Sequence, residues 1–110
     1  MIKVLVTSDP NYKGYDGWVL FRDTLINYLS KVQFEHSCSI NDIKILSNIP
    51  MATALARKNN IPTSPFKENW DEVDRVIAFD SGTPKMKERI EKAKSLGLLV
   101  DVTFITLDKQ

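Results

Sequence analysis

The sequence is poor in the residue types that several functional classes require. It has one cysteine, Cys38, and one histidine, His36, among 110 residues. These can form neither an internal disulfide nor the ligand set of a zinc site. The 15 basic and 14 acidic residues nearly balance, whereas nucleic-acid-binding domains usually carry a basic surplus. We therefore predict no disulfide, no metal site and no nonspecific binding of nucleic acid.

Long apolar stretches are also lacking. No run approaches the roughly 18 residues of a membrane span, and the first apolar run, Ile2–Val6, is shorter than the apolar segment of a secretory signal. Together with the single cysteine, this predicts a cytoplasmic protein that is not anchored in a membrane. A length of 110 residues and a hydrophobic content of 43% are typical of one globular domain, residues 1–110.

Short apolar runs alternate with amphipathic stretches along the chain. Strands are predicted at Lys3–Thr7, Ile43–Leu46, Thr63–Phe66, Arg75–Phe79 and Leu98–Thr106. Helices are predicted at Trp18–Lys31, Met51–Lys58 and Pro84–Leu96, with Asp16 and Thr83 as N-caps, Gly97 as a stop and Phe34–Asp42 as an irregular surface connection. This alternation favours a mostly parallel sheet of four to five strands, in a small Rossmann-like three-layer α/β domain.

Polar residues follow three of the predicted strands. They are Ser8 and Asp9, Ser47 and Asn48, and the group Asp80, Ser81, Gly82 and Thr83. Open α/β sheets bind ligands at the carboxyl ends of their strands, so these residues are predicted to line a ligand-binding cleft. The competing interpretation is that they are turn formers and helix caps without a ligand.

The aromatic residues have two interpretations as well. Trp18, Phe21 and Tyr28 share one helix face and are predicted to lie in the core. Tyr12, Tyr15 and Trp70 fall in predicted loops, where they either stack on a ligand base or cover the edge of the core.

Three phrases resemble the SLOG superfamily, in particular its YspA-like branch. Lys3–Ser8 resembles that family's first strand, which ends in Gly-Ser-Arg, with Ser8 matching and Asp9 standing in place of the arginine. Ile45–Thr53 resembles its strand followed by Gly-Gly-Ala-x-Gly-Ala-Asp, with matches at Ser47 and Ala52. Val73–Asp80, the turn Ser81-Gly82-Thr83 and the phrase Ala93-Lys94-Ser95-Leu96-Gly97 resemble its third strand, Gly-Thr turn and Ala-Lys-x-Leu-Gly segment.

The resemblance spans roughly Lys3–Val100 and implies a Rossmann-like fold that binds a nucleotide-derived ligand. Relatives in that superfamily include the lonely-guy cytokinin-activating enzymes and the DNA-processing protein A fold. In this chain Asn48, Ile49 and Met51 stand in place of glycines that let a phosphate approach a helix N-terminus. The strands and helices therefore match the family better than the phosphate-binding loops do.

Three functions are compatible with this sequence. The first is non-catalytic binding of a nucleotide-derived small molecule, with no further cofactor and, by family analogy, as a homodimer. The second is a phage or mobile-element protein that inhibits a host defence or regulatory complex through protein contacts. The third is a lonely-guy-like nucleotide hydrolase with Glu88 as general base. Glu88 is five residues beyond Thr83, and Lys85, Lys87 and Glu91 around it predict an ordinary solvated helix face.

Overall fold

The computed structural model describes residues 1–9 and 17–105. Its five strands are β1 (Ile2–Ser8), β2 (Ile43–Leu46), β3 (Thr63–Ser64), β4 (Arg75–Asp80) and β5 (Leu99–Phe104). Its three α-helices are α1 (Gly17–His36), α2 (Pro50–Lys58) and α3 (Pro84–Ser95), and single 3-10 turns occur at Ile40–Asp42 and Trp70–Glu72.

The strands form one parallel sheet in the order β3-β2-β1-β4-β5. The chain builds outward from β1 to β3, then returns to the other side of β1 and builds outward again through β4 and β5. The order therefore reverses between β1 and β4, which is the switch point where open α/β sheets commonly bind ligands. The predicted fold class is confirmed.

One face of the sheet packs against α1 and α2. Buried residues of the two helices, such as Phe21, Leu25 and Leu55, share a core with Val4 and Val6 of β1. Phe21 and Phe79 of β4 are both fully buried, with ring centroids 4.6 Å apart. Burial of this apolar surface holds the first layer on the sheet.

The other face packs against α3 and the connection between β3 and β4. Met86 and Ile90 of α3 contact Ala78, and Ala93 joins a cluster with Leu5 and Val76. Neighbouring residues of β1 thus point to opposite faces, as a strand covered on both sides requires. The result is three layers, with the sheet in the middle.

Several details of the secondary structure differ from the sequence prediction or lie beyond it. Strand β3 ends at Ser64 instead of the predicted Phe66. Helix α1 continues to His36, and Ile40–Asp42 forms a 3-10 turn, so the predicted irregular connection Phe34–Asp42 is wrong over most of its length. Asp16, Tyr12, Tyr15 and Thr106 lie outside the described residues. Within residues 1–9 and 17–105, no helix is long and apolar enough to cross a membrane.

Candidate functional site

A cleft of about 370 Å³ lies at the carboxyl ends of β1 and β2, beside the switch point. Among the described residues, three segments enclose it: the end of β1, the turn that enters α2, and the first two turns of α3 with Phe66 beside them. Its lining consists of Leu5, Val6, Thr7, Ser8, Asp9, Asn48, Ile49, Pro50, Met51, Phe66, Lys85, Met86 and Arg89. The volume falls within the range of small-molecule sites in proteins.

Asp9 is the acidic group of the cleft and is only 4% exposed. The Ser81 hydroxyl donates a hydrogen bond of 3.1 Å to its Oδ2 atom. This bond joins the end of β1 to the loop after β4, so two of the sequence-predicted residues meet across the switch point. A carboxylate accepts hydrogen bonds from hydroxyl and amine groups, and this is the chemistry that Asp9 brings to the lining of the cleft.

The hydroxyl groups of Ser8 and Ser47 are occupied within the protein. Ser8 Oγ donates to the Asp9 carbonyl over 3.2 Å. Ser47 Oγ donates to the Val6 carbonyl over 2.7 Å and accepts from the Ile49 N–H over 3.1 Å. Ser8 lines the cleft, whereas Ser47 is buried beneath it and ties β2 to β1.

Asn48 connects two walls of the cleft. Its Nδ2 atom donates to the Phe66 carbonyl over 2.7 Å, and its Oδ1 atom accepts from the Phe66 N–H over 3.1 Å. Phe66 follows β3 and is 5% exposed. Since both bonds go to the main chain, Asn48 sets the position of the Phe66 ring against the cleft.

The turn after β4 caps α3 and does not line the cleft. Asp80 Oδ1 accepts from the Gly82 N–H over 2.8 Å, and Thr83 Oγ1 accepts from the Met86 N–H over 3.4 Å as the predicted N-cap. Gly82 has a φ of +87°, which a glycine adopts without strain. Of this predicted group, Ser81 reaches the cleft through Asp9.

Two cations on α3 complete the cleft and were not among the predicted site residues. Lys85 and Arg89 are four residues apart, so they share one face of the helix. The sequence pattern around them predicts a solvated face, and Lys85 is indeed exposed. Their position one residue before and three residues after the buried Met86, on the same flank of that residue, is the feature that could have indicated their location.

Arg89 is held in place by its surroundings. Its Nη2 atom lies 2.8 Å from Glu68 Oε1, and its guanidinium group lies 5.7 Å from the Phe66 ring centroid and 5.9 Å from that of Trp70. The hydrogen bond from Arg89 lowers the pKa of Glu68. Trp70 itself contacts Phe66 edge to face at 5.2 Å, so it covers the edge of the core rather than standing free in a loop.

Glu88 lies outside this cleft. It is exposed and lines a neighbouring open depression of about 470 Å³, together with Lys85, Arg89 and three residues of the adjoining surface. His36 is exposed at the end of α1. Among the described residues, no group of three His, Cys, Asp or Glu side chains is placed to hold a metal ion.

A second charged cluster lies at the opposite end of the sheet. Arg75, the first residue of β4, has a side chain that is 4% exposed and pairs with Glu35 of α1 and, over 3.8 Å, with Asp101 of β5. The hydrogen bond from Arg75 lowers the pKa of Glu35, whereas burial raises the pKa of Tyr28 to about 12. These contacts join α1 to two strands and serve the fold rather than the cleft.

Comparisons of the chain with protein-family models, curated proteins and solved structures found no match. The resemblance to the SLOG superfamily therefore stays a prediction from the sequence. The cleft and its geometry are the basis for a functional assignment.

Proposed function

We propose that this protein binds a small, anionic, nucleotide-derived molecule in the cleft and does not turn it over. The observation that carries the proposal is the pairing of a buried acceptor, Asp9, with two cations, Lys85 and Arg89, across a 370 Å³ cleft at the switch point. A nucleotide has matching parts, because its phosphate is anionic and its ribose carries hydroxyl donors.

The proposed orientation places the phosphate at α3. Lys85 and Arg89 supply positive charge there, and the planar guanidinium of Arg89 suits a phosphate. The sugar hydroxyls then face Asp9, because an aspartate attracts donors and repels phosphate. The base packs on the apolar wall that Ile49, Met51 and Phe66 form.

Two positions at the N-terminus of α2 offer no N–H group to this ligand. The Ile49 N–H already donates to Ser47, and Pro50 has no N–H. The usual phosphate site at a helix N-terminus is therefore partly closed, which leaves the α3 side chains as the main source of attraction.

Isothermal titration calorimetry with mono-, di- and cyclic nucleotides and ADP-ribose tests the proposal. Lys85→Ala is expected to weaken binding about tenfold or more, since a hydrogen bond to a charged group contributes about 1.5–3 kcal/mol. Lys87→Ala is the matched control, because Lys87 is exposed on the same helix and does not line the cleft. Absence of heat with every member of the panel would end the proposal.

A protein-binding role is the second candidate, favoured by the outer face of α1. That face exposes Val19, Leu20, Ile26 and Phe34, of which Phe34 is 87% exposed. In this proposal the chain is a phage or mobile-element protein that inhibits a host defence or regulatory complex. A partner captured from bacterial lysate should then be lost with Ile26→Asp and kept with Lys85→Ala; the reverse pattern would exclude α1 as the binding face.

A further inference from the structure

The two edges of the sheet differ in length. Within residues 1–9 and 17–105, one edge is β3, which has two residues, and the other is β5, which has six. A short edge strand is a common protection against pairing with another chain, whereas a long edge offers a row of backbone donors and acceptors. The β5 edge has no bulge, proline or lysine among its residues Leu99–Phe104.

The backbone direction along β5 follows from one hydrogen bond. The Ile105 N–H donates to the Asp80 carbonyl of β4 over 2.9 Å. Since the polar groups of successive residues point to opposite sides of a strand, the odd-numbered residues of β5 face β4. Val100, Val102 and Phe104 therefore direct their N–H and C=O groups to the outer edge.

The side chains of β5 also divide between the two faces of the sheet. Asp101 lies beside Ile77 of β4, on the α1 face, together with Leu99 and Thr103. Val100 and Val102 pack on the α3 face, and Phe104 shares that face by alternation. Leu99 is 62% exposed and Phe104 is 78% exposed, so each end of the edge strand leaves an apolar side chain uncovered.

We propose that β5 pairs with β5 of a second copy of this chain, antiparallel and about a two-fold axis through Val102. Such an axis stands perpendicular to the sheet and keeps each face on its own side, so only residues of the same face can lie opposite each other. The axis must then lie midway between one residue and its own copy, so an axis through Val102 is one that places Val102 opposite the Val102 of the second copy. This interface is independent of the proposed ligand.

Charge and hydrogen bonding choose between the registers. An axis through Asp101 places its carboxylate opposite that of the second copy, which is destabilising. An axis through Val102 makes the outward residues pair directly. Val102 pairs with Val102 once, and Val100 pairs with Phe104 twice by symmetry, which gives three pairs. Directly paired outward residues exchange both of their hydrogen bonds, so the three pairs give about six bonds, whereas an axis through Thr103 gives about four.

The register through Val102 also covers the exposed apolar groups. Phe104 lies opposite Val100 of the second copy, and Leu99 lies opposite its Ile105. Asp101 lies opposite Thr103, which can donate a hydrogen bond to it. The carboxylate of Asp101 is already 3.3 Å from Lys31 Nζ and 3.8 Å from Arg75 Nη2, so its charge is offset within its own copy. On each face of the sheet, the β5–β5 interface then places no two like charges opposite each other. The two five-stranded sheets become continuous.

Sedimentation velocity of the full chain from about 1 to about 500 µM tests the pairing, because association depends on concentration. The wild type is expected to shift from monomer to dimer over this range. Phe104→Lys should raise the dimer dissociation constant about tenfold or more. The dimer would then carry a lysine at two symmetric positions of the β5 edge, where a charge opposes strand pairing. Phe34→Lys is the matched control, because Phe34 is exposed to a similar extent but lies on α1.

The register is tested by a pair of substitutions at Thr103. Thr103→Asp places a carboxylate opposite Asp101 and should weaken the dimer, whereas Thr103→Lys places an ammonium group there and should preserve or strengthen it. Circular dichroism of each variant verifies folding. A wild type that stays monomeric, or a dimer that Phe34→Lys dissociates as much as Phe104→Lys does, would overturn the pairing. Equal effects of the two Thr103 variants would overturn the register.

Discussion

Replacing Asn48 with alanine tests whether one side chain holds two walls of the cleft together. Asn48 makes two hydrogen bonds to the main chain of Phe66, at 2.7 and 3.1 Å. The substitution removes both and leaves the N–H and C=O groups of a residue that is 5% exposed without these partners.

The magnitude follows from the number and surroundings of these bonds. A hydrogen bond contributes about 0.5–1.5 kcal/mol net, so two bonds contribute about 1–3 kcal/mol. Asn48 itself is exposed, so water can replace part of the loss, and a decrease of about 1–2 kcal/mol in the free energy of unfolding is expected. In a domain of this size, that lowers Tm by roughly 4–8 °C.

Urea unfolding followed by circular dichroism measures this change. Trp70 supplies a local probe, because its ring lies 5.2 Å from that of Phe66. In a Trp18→Phe background the emission of Trp70 should shift in the Asn48→Ala variant, since Phe66 is released from the turn that enters α2.

Two further variants complete the design. Asn48→Asp keeps an acceptor for the Phe66 N–H but puts an oxygen against the Phe66 carbonyl, so it should also destabilise the fold. Asn27→Asp is the control for the added charge, because Asn27 is exposed on α1, and a change within about 0.5 kcal/mol is expected. If Asn48→Ala unfolds within about 0.5 kcal/mol of the wild type and Trp70 emission is unchanged, the role assigned to Asn48 is wrong.

Three other predictions concern the stability of the fold. Arg75 lowers the pKa of Glu35 below its ordinary 4.5, so this pair stabilises the fold above that pH, and the stabilisation is lost as the pH falls through the lowered pKa. The difference in stability between wild type and Glu35→Gln should therefore shrink in acid, which thermal unfolding from pH 7 to pH 3 would measure. Phe79→Ala should cost about 3–5 kcal/mol in urea unfolding, since Phe79 is fully buried against Phe21. Gly82→Ala should cost about 1 kcal/mol, because no atom of the described part of the chain crowds the position and its φ of +87° opposes a side chain.

The parts of the fold that depend on local chemistry were predictable from the sequence. The β2 strand has the predicted bounds, and α3 begins at Pro84 after the Thr83 cap as expected. A short β-branched run and a cap followed by proline carry their information within a few residues. The parallel arrangement of the strands also follows the expectation for alternating strands and helices.

The end of α1 depends on contacts that are distant in sequence. The apolar stripe of this helix ends at Val32, so periodicity alone predicts a stop near Lys31. Glu35 lies one turn further and pairs with the buried Arg75 of β4, 40 residues away. This contact stabilises a turn whose exposed Phe34 gives no reason for helix formation.

The set of residues that is available in the cleft also depends on contacts that are distant in sequence. Ser47 and Asn48 were predicted to face a ligand, but the sequence cannot reveal that Val6 and Phe66 bind their side chains first. The sequence predicts a solvated face for Lys85, and only the packing of α3 against the sheet places it in the lining of the cleft. Polar residues at strand ends thus locate the site, whereas tertiary contacts decide which of them remain available.

The lack of glycines in the turn that enters α2 affects how the proposed site would bind a phosphate. Glycine-rich loops use backbone N–H groups, which bind a phosphate through several short bonds and depend only in part on charge. Where the Ile49 N–H is occupied and Pro50 has none, we expect the attraction to depend more on the charges of Lys85 and Arg89, which are screened by salt. Affinity for a nucleotide in the proposed site should therefore fall steeply between about 50 and 500 mM NaCl, and this salt dependence should decrease in Lys85→Ala but not in Lys87→Ala. A salt-independent affinity would instead place the phosphate on backbone groups and contradict the role assigned to α3.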